Sequence, residues 1–136
     1  MRWTPAGIAL AGVLAGCGLN VQSADLFLLT RVGQGSRLSL LVNDGGKIRC
    51  DGGRPRRLSD PLLLQARDLA SALDGDAKES LKLPSARNSV YRYTVHLQNG
   101  TVSFPDTATA GGKFPALARA ELFAVRAAQQ ACGLSA

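Results

Sequence analysis

The chain has 136 residues, 46% of them hydrophobic and 19% charged, with 16 Lys and Arg against 10 Asp and Glu, a net charge of +6. That length holds one domain around a single modest core and excludes two. Fifteen Gly and six Pro punctuate the chain without a low-complexity run, and no internal repeat is visible, so a globular rather than a disordered product is expected.

The first stretch is a processing signal. Arg2 gives a short basic n-region, Ala6 to Ala15 an apolar h-region, and small residues stand directly before a cysteine in Leu14-Ala15-Gly16-Cys17. This is the pattern of a lipoprotein signal peptide. A thiol is needed to take a diacylglyceryl group as a thioether, and small side chains at Ala15 and Gly16 let a peptidase reach the backbone. The expected division is residues 1–16 as signal peptide, with Leu14, Ala15 and Gly16 recognised by the peptidase. Residues 17–25 then form the lipidated Cys17 and its tether, and residues 26–136 a single domain. A spanning helix fits less well, because Ala6 to Leu19 falls short of about 20 apolar residues and is broken by four glycines. Ordinary secretion leaves Cys17 unexplained. Gly18 to Ala24 has a random-coil reach of roughly 15 Å, so the domain is expected close to the extracytoplasmic face of the cell membrane, lipid-anchored.

Lipidation of Cys17 leaves Cys50 and Cys132 as a pair in a compartment where disulfides persist, and a bond between them is expected over two free thiols.

Leu26 to Val32 and Leu38 to Asn43 read as strands joined by a turn at Gly33 to Ser36. Asn43-Asp44-Gly45-Gly46 is a second turn, before a strand over Lys47 to Asp51 that points Cys50 inward. Gly52 to Arg57 reads as an exposed basic loop in which Arg54, Arg56 and Arg57, extended by Lys47 and Arg49, form the densest positive charge. Solvated loop is the plain reading of that cluster; contact with anionic lipid headgroups or an acidic partner is the sharper one.

Ser59-Asp60-Pro61 predicts a helix start with Asp60 capping, Leu62, Ala66, Leu69 and Leu73 share its inner face, and Gly75 is expected to end it. Asp76 to Asn88 is predicted as a loop with one helical turn. Tyr91 to Gln98 alternates cleanly, and a two-residue turn at Asn99-Gly100 predicts Leu97 opposite Val102 and Val95 opposite Phe104. After a loop over Asp106 to Lys113, Pro115 opens a last helix with Ala118, Leu122, Val125 and Cys132 on one face, stopped by Gly133. The order βββαββα predicts an α+β domain, a small mostly antiparallel sheet with two helices packed on one face.

No catalytic constellation stands out. His96 is the single histidine and falls on the polar face of its strand, without a nucleophile and acid placed around it. One histidine beside a cysteine pair does not make a metal site. The glycine-rich segments lack the context of a phosphate loop. A non-enzymatic protein is expected, with no metal and no cofactor beyond the covalent lipid on Cys17; nucleic acid is not an expected partner outside the cytoplasm.

Tyr91 to Gly100, Thr101 to Asp106 and Phe114 to Leu117, with Leu29-Thr30-Arg31 through Val42 to Gly46 and the helix at Leu62 to Leu73 in the same order, resemble emfourin-like domains. Those small bacterial proteins are named for inhibitors of thermolysin-type metalloproteases. The likeness covers about residues 26 to 134 and implies an inhibitor of a secreted protease; no inhibitory residues carry over position by position, and an inhibitor is expected to use loops near Gly52 to Arg57 or Thr107 to Lys113. The anchor and the cysteine pair depart from that family's pattern. The element order is also similar to that of Streptomyces subtilisin inhibitor proteins, without their second cysteine pair. The whole chain resembles the uncharacterised lipoproteins common in high-GC Gram-positive bacteria. The leading expectation is therefore a membrane-anchored surface lipoprotein presenting a small protein-binding domain, with protease inhibition as the alternative. The two lobes of a transport receptor do not fit in 120 mature residues.

Overall fold

The computed structural model describes residues 24–135. The expected signal peptide, the lipidation site Cys17 with Leu14, Ala15 and Gly16, and most of the tether lie outside the described residues. The rest forms six strands and two long helices: β1 Asp25–Gly33, β2 Ser36–Asn43, β3 Lys47–Cys50, β4 Arg56–Arg57, α1 Asp60–Lys78, β5 Arg92–Leu97, β6 Gly100–Pro105, a 3-10 turn over Asp106–Gly112, and α2 Pro115–Gln130. All named strands pair antiparallel, in the order β4-β3-β2-β1-β5-β6. The expected α+β architecture holds, with one addition: the basic segment is not all loop, because Arg56 and Arg57 pair with Ile48 and Lys47.

One face of the sheet is covered. Phe27 and Leu29 of β1, Leu38, Leu40 and Val42 of β2, Ile48 of β3, Tyr93 and Val95 of β5, and Val102 and Phe104 of β6 are all buried. Strand alternation turns them to a single side. Against them α1 sets Leu62, Ala66, Leu69, Leu73 and Ala77, and α2 sets Leu117, Ala120, Phe123, Ala124, Ala127 and Ala128.

The ends of α1 differ from expectation. Ser59, not Asp60, is the N-cap: its Oγ accepts from the Leu62 amide at 3.4 Å, and Asp60 occupies the first turn. Gly75 does not end the helix, which runs on to Lys78 because Ala77 is buried against the sheet and Lys78 bridges Asp74 at 3.0 Å. The chain leaves helical geometry at Ser80, whose φ is +53°. Beyond it Leu81 and Leu83 bond the backbone of Ser103, giving β6 a short parallel neighbour within the stretch predicted as a loop with one helical turn.

The β5–β6 turn is Gln98-Asn99, one residue earlier than predicted. Val95 therefore pairs with Val102 and Tyr93 with Phe104, a shift of two that leaves every side chain on its expected face. The reason lies in α1: the Asn99 side chain donates to Asp74 at 2.8 Å, and Gly100 backs onto the Ala77 carbonyl where a side chain has no room. That hydrogen bond, followed by Lys78, holds the exposed Asp74 carboxyl below its ordinary pKa.

The last helix is rotated from its predicted face. Leu122 is exposed and Ala118 and Val125 are only half-buried, while Phe123 turns inward and meets Phe27 edge-on, with ring centroids 5.5 Å apart. Cys132 lies beyond the helix end, is buried, and forms a disulfide with Cys50 across a Cα separation of 5.9 Å.

Candidate functional site

The helices leave the other sheet face uncovered, and strand register fixes what it displays. One row across it reads Arg49, Leu41, Leu28, His96, Thr101, and the next Ser39, Thr30, Thr94, Ser103. A third places Arg37, Val32 and Arg92 side by side. Arg92 is held down, its guanidinium donating to Ser85 Oγ and the Leu83 carbonyl. His96 Nδ1 lies 3.0 Å from Thr101 Oγ1 on this open face.

The positive charge concentrates at one corner. Lys47 pairs with Arg57, and Arg49 with Leu41, so all three cations project from the open side. The Asp51 to Pro55 loop folds beside them, with the Gly53 carbonyl accepting from Arg49 at 3.5 Å. Asp25, Leu41, Asn43, Gly45, Lys47, Arg49 and Pro55 line a shallow depression of about 470 Å³. Asp25 opens β1, so the chain enters the fold at the rim of this basic corner. Asp51 is occupied, its carboxylate accepting from the Ser39 amide at 2.8 Å.

Of the three arginines singled out in the sequence, Arg54 and Arg57 stay with this corner and Arg56 does not. Arg56 pairs with the inward-facing Ile48 and so emerges on the helix side, where it donates to the Cys132 carbonyl at 3.4 Å. There it serves the carbonyl end of α2. Alternation along a two-residue strand separates neighbours, a signal that reading the segment as a loop conceals. Lys47 and Arg49 take the place of Arg56.

A second cluster gathers at the opposite end of α2. The Asp106 carboxylate accepts from the amides of Val90 and Tyr91, anchoring the 3-10 turn to the start of β5. Ser89 and Thr107 hydroxyls meet at 2.9 Å. Thr109 Oγ1 lies 3.1 Å from the Asp106 carbonyl and 3.0 Å from Glu121 Oε2. Glu121 Oε1 is the one buried side-chain oxygen without a hydrogen-bond partner among the described residues. Desolvation raises the Glu121 pKa above the usual carboxylate range, Thr109 opposes the shift, and Asp106 adds to it. Burial likewise raises the Tyr93 phenol, with Glu121 reinforcing it and Arg31 opposing it. Arg31 also stacks over the Tyr91 ring, 4.6 Å from its centroid. The loop tip from Ala110 to Phe114 is exposed, and Phe114 is held at φ +52°.

The two loops proposed for an inhibitor are thus far apart. One is tied by the disulfide to the end of α2 and the other leads into its start, and 16 helical residues span about 24 Å. They stand at opposite ends of α2. Between the helices, Gln65, Asp68, Leu69, Arg119, Leu122, Phe123 and Arg126 line a groove of about 320 Å³. Among the described residues no three His, Cys, Asp or Glu side chains come together in a way that could hold a metal ion. No protein-family model, curated protein or solved structure matches the chain.

Proposed function

We propose that the chain is a non-enzymatic lipoprotein, anchored through Cys17 at the extracytoplasmic face of the cell membrane, that presents a small disulfide-tied domain to a protein partner. The observation carrying this reading is the Leu14-Ala15-Gly16-Cys17 sequence seven residues before the first described residue of a single closed core. The Cys50–Cys132 bond supports an oxidising compartment. Mass spectrometry of the protein purified from its membranes tests the anchor: a mature chain starting at a diacylglyceryl-modified Cys17 is expected, and an unmodified Cys17 or another start rejects it. Crosslinking in intact cells then reads out the partner.

The alternative, inhibition of a secreted thermolysin-type protease, is favoured by one feature. The exposed Ala110 to Phe114 tip stands on a base braced by Asp106, Thr107 and Thr109, the kind of preorganised loop that binds without a large ordering cost. Titration of the protein against thermolysin-type and subtilisin-type proteases separates the readings, since no inhibition at micromolar concentration excludes the inhibitor.

A further inference from the structure

The domain has two unlike sides. The two helices carry five carboxylates, Asp60, Asp68, Asp74, Asp76 and Glu121, against four cations, Arg67, Lys78, Arg119 and Arg126. They are close to neutral, so the positive excess of the mature chain lies on the sheet and its loops. Within that excess, Lys47, Arg49 and Arg57 share the uncovered face at the corner where β1 begins, with Arg54 in the adjoining loop. All four are exposed. Leu41 and Leu28 lie beside Arg49 in the same cross-strand row, offering half-buried apolar surface behind the charges.

Resting on the lipoprotein reading, we infer that this corner docks on anionic phospholipid headgroups and sets the orientation of the domain, sheet face toward the bilayer and helices away. The argument is geometric. The segment outside the described residues ends at Ser23, two residues before Asp25 on the rim of the corner, and a lipidated Cys17 confines that point to within a short tether of the membrane. Cations held within a Debye length of an anionic surface are attracted to it, and an acyl chain combined with a basic patch is a two-signal anchor. The near-neutral helical side gains nothing from facing the lipid. Asp25 sits among the cations and subtracts from their charge, while Asp51 is turned to the Ser39 amide.

The native lysines report the orientation. The lipidated full-length protein is reconstituted in phosphatidylcholine vesicles and in vesicles containing roughly one-third phosphatidylglycerol, and the acetylation rate at each lysine is read by mass spectrometry. Lys47 lies in the corner; Lys78 at the end of α1 and Lys113 beyond the 3-10 turn lie outside it. In anionic vesicles Lys47 is expected to react on the order of tenfold more slowly relative to Lys78 and Lys113, and the protection is expected to fade at high salt. Equal relative rates in the two vesicle types, or protection that survives high salt, overturn the inference. The same spectra show whether Cys17 carries the lipid, so failure of the anchor is seen separately. Should Cys17 prove unmodified, co-sedimentation of that protein with the anionic vesicles decides: binding lost in K47E/R49E/R57E supports the corner, and no binding, or binding unchanged in the variant, rejects it.

Discussion

At the scale of single residues, the most heavily constrained group is Glu121. A threonine hydroxyl has one hydrogen, yet Thr109 stands within bonding distance of both the Asp106 carbonyl and Glu121 Oε2. An ionised Glu121 must therefore share its one hydrogen-bond donor with the Asp106 carbonyl while its other oxygen has none; burial raises its pKa, with Asp106 adding to the shift and Thr109 opposing it. Since the folded-state value lies above the unfolded one, the group's favourable contribution is complete below the unfolded value and is lost as pH rises through the folded value. Ionised Glu121 therefore costs stability at neutral pH. Glu121→Gln is expected to raise the urea midpoint at pH 7, with the gain shrinking away below about pH 4; a midpoint lowered at pH 7 contradicts this. The same substitution removes the second cause of the Tyr93 shift. With Tyr91→Phe leaving Tyr93 as the one tyrosine of the chain's two, ultraviolet titration is expected to find a phenol above the usual range, and one that moves down when Glu121→Gln is added. None of this cluster was legible in the sequence, because it depends on which way α2 is rotated. That helix is rich in alanine, and stripes starting at Leu117 or Ala118 look alike. The Phe27–Phe123 contact settles the choice and carries Glu121 to Thr109.

The elements show where local signals suffice and where packing overrides them. Strands β1, β2 and β5 and the inner face of α1 follow from alternation and from the spacing of Leu62, Ala66, Leu69 and Leu73, since burial of one face is what those patterns encode. Glycine proved the less reliable punctuation. Gly75 looked like a stop and lies inside α1 in open space, whereas Gly100 looked like a turn residue and is a contact with the helix. Opposite outcomes are expected at the two positions. Gly75→Ala adds a methyl that meets nothing within 4 Å and reduces the entropy of the unfolded chain, so a stabilisation of about 0.5–1 kcal/mol is expected. Gly100 has φ +153°, and a Cβ there overlaps the Ala77 carbonyl. Gly100→Ala must separate α1 from β6, which contradicts the burial of Ala77; a loss of at least about 2 kcal/mol is expected. Equal thermal midpoints for the two variants would mean that α1 and the β5–β6 turn are not in contact as described. The basic corner was half legible: Lys47 and Arg49 follow from strand alternation, but only the pairing of β4 with β3 sends Arg56 and Arg57 to opposite faces.

Across the whole molecule, the disulfide is what closes the fold. The sheet grows outward from β1, so β3 and β4 occupy the far edge from β6, while α2 packs on α1 and on the 3-10 turn at the other side. The Cys50–Cys132 bond, beside the hydrogen bond from Arg56 to the Cys132 carbonyl, ties the end of the chain's last helix to the β3 edge. The cysteines' separation of 82 residues encloses most of the domain, and restricting so long a loop in the unfolded chain is worth at most about 4.5 kcal/mol. That is a large share of the stability of a domain this size, about 5–15 kcal/mol. Reduction, or the double substitution Cys50→Ser with Cys132→Ser, is therefore expected to lower the urea midpoint by a margin that identifies the bond as the main brace. The loss should be uneven. Hydrogen exchange is expected to accelerate first at the end of α2 and along β3 and β4, where the basic corner sits, while β1 and β5, each paired on both sides, stay protected. Uniform acceleration would mean that the bond acts on the unfolded chain alone. Local loosening would mean that it also holds Lys47, Arg49 and Arg57 in the arrangement proposed above to dock on anionic lipid.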